Sequence, residues 1–239
     1  MPVETSATAR SLLAELERLG DPKDAEFLKR FFKTAPGEYG AGDRFLGIRV
    51  PVTRKLVRQH RALPLQQITA LLHSQWHEAR LLALLILVDQ HRRAAADQQS
   101  VIHRLYLDNT RHINNWDLVD LSAEHLVGPH IAENAALLPA LAASASLWER
   151  RIAIMATFHP IRRGEFAPTL RIAELLLDDE HDLIHKAVGW MLREVGNRDR
   201  AIEERFLKPH YQRMPRTMLR YAIEKFPEAL RQRYLKGKV

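Results

Sequence analysis

Apolar residues recur at three- and four-residue spacings along almost the whole chain, and strand-like alternation is nearly absent. That period returns apolar side chains to one helical face at every turn, so it predicts helices and argues against a sheet-based core. The breaks between helices are legible. Gly20-Asp21-Pro22 separates a first helix, about Ala7 to Leu19, from a second, about Lys23 to Lys33. Thr34 to Gly42 is a Gly-rich loop, and Pro51 opens the next helix. Later breaks fall at Leu63-Pro64, Gly128-Pro129, Pro139, His159-Pro160, Gly164, Gly196-Asn197, Pro209, Met214-Pro215 and Phe226-Pro227.

Between these breaks one shape returns, a polar start followed by a dense Ala/Leu/Ile helix. It appears at Trp76-His77-Glu78-Ala79-Arg80-Leu81-Leu82-Ala83 and at Trp148-Glu149-Arg150-Arg151-Ile152-Ala153-Ile154-Met155. Ile184 to Glu194 is a third copy, and Thr217 to Glu224 a weaker fourth. Copies lie roughly 32 to 40 residues apart, or about twice that between the first two, the range of two-helix repeats. One such pair cannot bury its apolar face alone, so neighbours stack into a curved superhelix with a concave surface. The expected fold is an all-α solenoid, a single domain over residues 1–239.

Thirty-six Lys and Arg oppose 29 Asp and Glu, giving +7 with His neutral. The balance suits a polyanionic partner, although net charge also serves solubility. Much of the excess is Arg, whose planar fork matches phosphate. With no Cys, disulfides, thiolate chemistry and Cys-ligated metals are excluded. Met1-Pro2-Val3-Glu4-Thr5 has neither a basic nor an apolar signal region, and the run Leu81 to Val88 is far too short to span a bilayer. The expectation is a cytoplasmic protein with no membrane partner.

Asn114-Asn115-Trp116-Asp117-Leu118-Val119-Asp120 is the segment richest in chemistry. On a helix, Trp116 and Asp120 share a face one turn apart, presenting an indole beside a carboxylate. An indole attracts a cation and a carboxylate stabilises developing positive charge, so the pair is a candidate centre for a cationic substrate. Trp190 with Arg193 and Glu194, and Arg151 three residues after Trp148, are further candidates. In a solenoid, residues at matching repeat positions project into one groove. The plainer alternatives stay open: a core Trp, a paired Asp and solvated Arg side chains. Asp117 reads as a first-turn acid complementing the helix dipole, with Asn114 or Asn115 as N-cap.

His73 with His77, and His181 with His185, have the spacing of two metal-binding imidazoles, but no third ligand is evident and no metal is expected. Arg92-Arg93 and Arg162-Arg163 read as solvated or phosphate-facing. Gly37 to Gly42 lacks the strand and the Lys-Ser/Thr of a phosphate loop, and no Ser carries a nucleophile signature.

Four motifs in order resemble the AlkD-like family of DNA alkylation repair glycosylases. They are Phe45-Leu46-Gly47-Ile48-Arg49-Val50-Pro51, Asn115 to Asp120, Trp148-Glu149-Arg150-Arg151, and Lys186 to Glu194. The resemblance runs nearly end to end. It implies a right-handed α-solenoid of HEAT-like two-helix repeats with a concave basic groove. It implies hydrolysis of the N-glycosidic bond of cationic N3- or N7-alkylated purines in duplex DNA, without obligatory base flipping and without a cofactor. Carried across by motif, Asp120 matches the essential carboxylate, Trp116 and Trp190 the lesion-facing tryptophans, and Arg151 the active-site arginine. Arg193, Lys186, Arg49 and Arg54 are the implied DNA-binding residues. The loop Thr34 to Asp43 looks longer than in compact members; it is expected to alter DNA contacts or lesion range without touching the catalytic positions. A monomeric glycosylase initiating base excision repair is the leading expectation. A non-catalytic repeat module binding damaged or branched DNA is the alternative, and a protein–protein scaffold is a third.

Overall fold

The computed structural model describes residues 7–239. Met1 to Thr5, read above for a signal, lie outside the described residues. The fold is all-α: among the described residues, the one strand-type pairing is an isolated bridge between Arg44 and Trp76. None of the described helices is long and apolar enough to cross a membrane.

The chain divides after Ser122 into two compact units. The first holds α1 (Ala9–Leu19), α2 (Pro22–Phe31), α3 (Val50–Gln59), α4 (Leu65–Leu72), α5 (His77–Arg93), α6 (Ala96–Asp108) and α7 (Trp116–Asp120). The second holds α8 (Ala123–Leu126), α9 (Leu137–Ala142), α10 (Leu147–Ala156), α11 (Phe158–Arg162), α12 (Ala167–Leu175), α13 (Asp182–Gly196), α14 (Arg200–His210), α15 (Arg216–Ala222) and α16 (Glu228–Leu235). Most of the expected breaks become helix starts. Pro64, Pro215 and Pro227 sit at N-caps, and Pro22 and Pro51 within the first two positions, where a missing N–H costs nothing. Pro139 and Pro160, expected as breaks, lie instead in the first turns of α9 and α11. Pro209 is the late exception: α14 runs through it and stops one residue beyond.

Each unit is organised on one central helix. In the first, α5 packs against α3, α4, α6 and α7. Its apolar run is buried all round, with Leu82, Ala83, Leu84, Ile86 and Leu87 fully enclosed. Each large side chain so buried contributes about 1.5–3 kcal/mol, which makes α5 the core of its unit. In the second unit α13 packs against α10, α12, α14 and α15. The repeat copies α10, α13 and α15 therefore lie side by side, as stacked repeats require. Gly189 is what lets α13 and α15 approach: a Cβ there would meet the Met218 carbonyl at 2.4 Å and Tyr221 Cβ at 2.5 Å.

The turns before the core helices fix the repeat register. A polar oxygen on Ser74, Ser144 or Asp179 accepts from the backbone N–H two residues on, at 3.1, 3.0 and 2.8 Å respectively. A basic side chain six residues on reaches back to the carbonyl of the same residue: Arg80 to Ser74, Arg150 to Ser144, His185 to Asp179. Ser144 and Asp179 are 35 residues apart, and Ser74 and Ser144 twice that. In this register Trp148 corresponds to Glu78, not to Trp76.

Candidate active site

The first unit carries Trp116 and Asp120 on α7, a helix of five residues. A helix that short does not hold itself, so its ends must be fastened by other elements. Asn115 is the N-cap: its Oδ1 accepts from the Trp116 N–H at 2.9 Å, and its Nδ2 donates to Asp43 Oδ2 at 3.2 Å. Asp43 Oδ2 also accepts from His77 Nδ1 at 2.9 Å, and its Oδ1 pairs with Arg80. His77 Nε2 lies 2.8 Å from Asp117 Oδ2. Burial disfavours charge on His77, but Asp117 and Asp43 outweigh that and hold its pKa at about 9. Burial also opposes charge on Asp43, yet the His77 and Arg80 contacts keep its carboxyl below the usual range. Two acids and two bases thus form a compact, charge-balanced group beneath α7.

Above that group Trp116 is half-buried. Its ring stacks on Phe32 at 5.2 Å and meets the edge of Phe31 at 6.0 Å. Phe32 in turn stacks on Phe45, which lies 4.6 Å from the His77 ring. Asp120 is half-buried at the C-terminal end of α7. Burial raises the pKa of the Tyr106 phenol, the Ser122 hydroxyl opposes the shift, and the negative charge of Asp120 adds to it. Among the proposed DNA ligands, Arg49 sits at the N-cap position of α3 and holds Asp24 in a two-pronged pair at 2.8 and 3.0 Å. Arg54 is exposed on the same helix.

In the second unit Arg151 is 5% exposed and donates to the Leu183 carbonyl at 2.6 Å, tying α10 to the first turn of α13. Lys186 pairs with Asp182 at 2.7 Å. Trp190 is half-buried, with its indole N–H 3.3 Å from Glu194 Oε1. Arg193 pairs with Glu224. Phe158, which spacing did not single out, lies 6.3 Å from Trp190 and has the guanidiniums of Arg162 and Arg198 over its ring at 4.5 and 5.8 Å.

The family model described as DNA alkylation repair enzyme matches residues 12–226. The chain belongs to the DNA alkylation repair enzyme family. No curated protein matches it. One solved structure with the same fold is titled a predicted DNA alkylation repair enzyme from Enterococcus faecalis. It has 17% sequence identity and a TM-score of 0.69, over 87% of this chain and 97% of that one. A role in DNA alkylation repair follows from the family match.

Within this family member, several sequence expectations change. The loop Thr34 to Asp43 has a role that spacing did not suggest: its last residue, Asp43, bonds Asn115, the N-cap of the candidate catalytic helix, and so supports that helix from its cap. Asp117 does lie in the first turn with Asn115 as N-cap, but its carboxylate is bound to His77 rather than only facing the dipole. The histidine pairs are otherwise engaged: His73 bonds Asn109 and stacks on His112, and His185 closes a repeat turn. Arg92 and Arg93 both pair with Asp89 on their own helix, and Arg162 pairs with Glu124. The Phe45 to Pro51 motif proves to be a backbone cradle. Glu78, buried, accepts from the N–H groups of Leu46, Gly47 and Ile48 at 2.8 to 3.2 Å. Gly47 has φ +86, and a Cβ there would meet the Asp21 carbonyl at 2.0 Å.

Proposed function

We propose that this chain is a monofunctional, cofactor-free DNA glycosylase that removes cationic N3- and N7-alkylpurines from duplex DNA as a monomer and initiates base excision repair. The observation that carries this is α7 itself, an indole and a carboxylate one turn apart on a helix fastened from beneath by buried ionic contacts. Repeat phasing supports it. Trp116, Arg151 and Lys186 fall at 35-residue intervals, and Asp120 and Trp190 stand two intervals apart, so each set occupies one position of the repeat.

The chemistry asks little of the protein. Alkylation at N3 or N7 leaves the purine positively charged. When its bond to C1′ breaks, the electron pair goes to the base, which leaves neutral, and positive charge develops on the deoxyribose. Ordinary glycoside hydrolysis needs an acid to protonate the leaving group; here that acid is dispensable. Asp120 stabilises the oxocarbenium-like sugar, orients the water and receives its proton as oxygen bonds to C1′. Trp116 and Trp190 pack on sugar and cationic base, each contributing on the order of 0.5–2 kcal/mol. Arg193, Lys186, Arg49 and Arg54 contact phosphates, and Arg151 braces the α10–α13 junction through the Leu183 carbonyl. No base-flipping pocket is needed in this scheme.

Asp120→Asn is the test. Release of 7-methylguanine or 3-methyladenine from alkylated duplex is expected to fall by about 100-fold or more, with duplex affinity nearly unchanged. Full activity in that variant overturns the mechanism. Wild-type protein that binds alkylated duplex and releases no base is instead a binding module.

A further inference from the structure

His77 has the metal-ligand spacing with His73, yet its ring is engaged by two carboxylates. It is 2% exposed, and both of its ring nitrogens face carboxylates: Nδ1 faces Asp43 and Nε2 faces Asp117. An ionised carboxylate only accepts, so both nitrogens must donate and the ring must be an imidazolium. We propose that His77 is a positioning residue for α7, a two-way donor that ties the end of the loop through Asp43 to the first turn of α7 through Asp117 and thereby sets Trp116 and Asp120. The assignment rests on α7 being the reaction centre.

The two ties are unequal. Asp43 has further partners in Arg80 and Asn115. Asp117 has His77 as the hydrogen-bond partner of its Oδ2, while its Oδ1 is buried without one. A neutral imidazole keeps one N–H, and the lone pair on its other nitrogen repels a carboxylate. Loss of the proton leaves the better-supported Asp43 contact in place and releases Asp117. Freed of that contact, α7 loses its ionic tie to His77 and is left with the Asn115 cap, the Phe31 and Phe32 ring contacts and the burial of Leu118 and Val119.

The groups that face His77 are Asp43 from the loop, Asp117 from α7 and, across Asp43, Arg80 from α5. Phe32, the C-cap of α2, and Phe45 cover it at ring distances of 5.0 and 4.6 Å and bring no charge. With its pKa held at about 9, His77 is charged through neutral pH and titrates in the alkaline range.

The experiment pairs single-turnover release of 7-methylguanine from methylated duplex, followed from pH 6 to 10, with an NMR titration of the His77 ring in DNA-free protein. The excision rate is expected to fall with the His77 midpoint, by about tenfold per pH unit beyond it. His77→Arg keeps a fixed charge with several donors and is expected to remove this alkaline limb while retaining activity. Because that larger side chain risks the core, Asp117→Asn is the second variant. Loss of one carboxylate moves the His77 midpoint down by about 1–3 pH units, and the rate limb must move with it. A limb that stays in place while His77 shifts, or no limb while His77 titrates, overturns the proposal. If wild-type protein releases no base, the glycosylase function fails separately. The positioning role is then judged by the Trp116 indole signal, which must follow His77 titration and overturns the proposal if it does not.

Discussion

Asp43 and Asn115 meet at 3.2 Å across 72 residues of sequence. One ends the Gly-rich loop after α2, and the other caps the helix that carries Trp116 and Asp120. This contact makes the loop a support of the candidate site. It also explains why α7 persists at five residues: its N-cap is held by a buried, charge-compensated carboxylate.

Glu78, the neighbour of His77 on α5, holds the segment that follows Asp43. Its carboxylate accepts from three successive backbone N–H groups, at Leu46, Gly47 and Ile48. Glu78→Ala leaves those donors unsatisfied and is expected to destabilise the protein by about 2–4 kcal/mol. Glu78→Gln, which keeps the shape and one good acceptor, is expected to lose about half as much. Chemical denaturation of the two variants checks this, and equal losses would show that charge and shape are not separable there.

Gly189 lies where α13 and α15 come into close contact. Gly189→Ala drives a methyl into the Met218 carbonyl and Tyr221, so the helices must separate. A loss of about 1–3 kcal/mol is expected, despite the better helix propensity of Ala. An unchanged or raised melting temperature would refute it.

Glu203 is a buried acid with an unpartnered Oε1, and a Cβ on Gly196 would overlap its other oxygen. Burial first, then the neighbouring Glu204, pushes its pKa up to about 9, against the opposing pull of Arg200 and Arg193. The folded protein therefore holds a proton that the unfolded chain releases above the ordinary carboxyl range. Stability is full below about pH 4.5 in this respect and declines as pH rises toward 9. Glu203→Gln cannot titrate, so its melting temperature is expected to gain on wild type steadily across that window. Parallel melting curves at pH 5 and pH 8 (about the two ends of the window) would contradict the assignment.

Arg49 tests the DNA reading at the surface. Asp24 occupies its guanidinium, and the pair is solvent-facing, with 76% of the Arg49 side chain exposed. Arg49→Ala is expected to weaken duplex binding and reduce the salt slope by about one contact. Asp24→Asn, which frees the arginine, is expected to strengthen binding. Binding by filter or fluorescence titration at two salt concentrations separates the outcomes; no change in either variant would remove Arg49 from the interface.

Much of this protein is written in local sequence. The three- and four-residue spacing of apolar side chains determines the helices, and proline and glycine set most of their starts and ends, because both signals act within a few residues. The 35-residue repetition determines that α10, α13 and α15 stack, and the Trp116–Asp120 spacing determines that an indole and a carboxylate share a face. Tertiary structure alone decides what lies beneath that face. Nothing in the sequence near Asp43, His77 or Asn115 announces that they meet, since each is an ordinary loop acid, helix-start histidine or N-cap by local rules. Burial makes the difference: once water is excluded, each charge must find its partner inside the protein, and the partners lie 34 and 72 residues away. The same exclusion of water turns Glu78 into the anchor of the Phe45 to Pro51 segment and Glu203 into a neutral acid, roles that no spacing encodes.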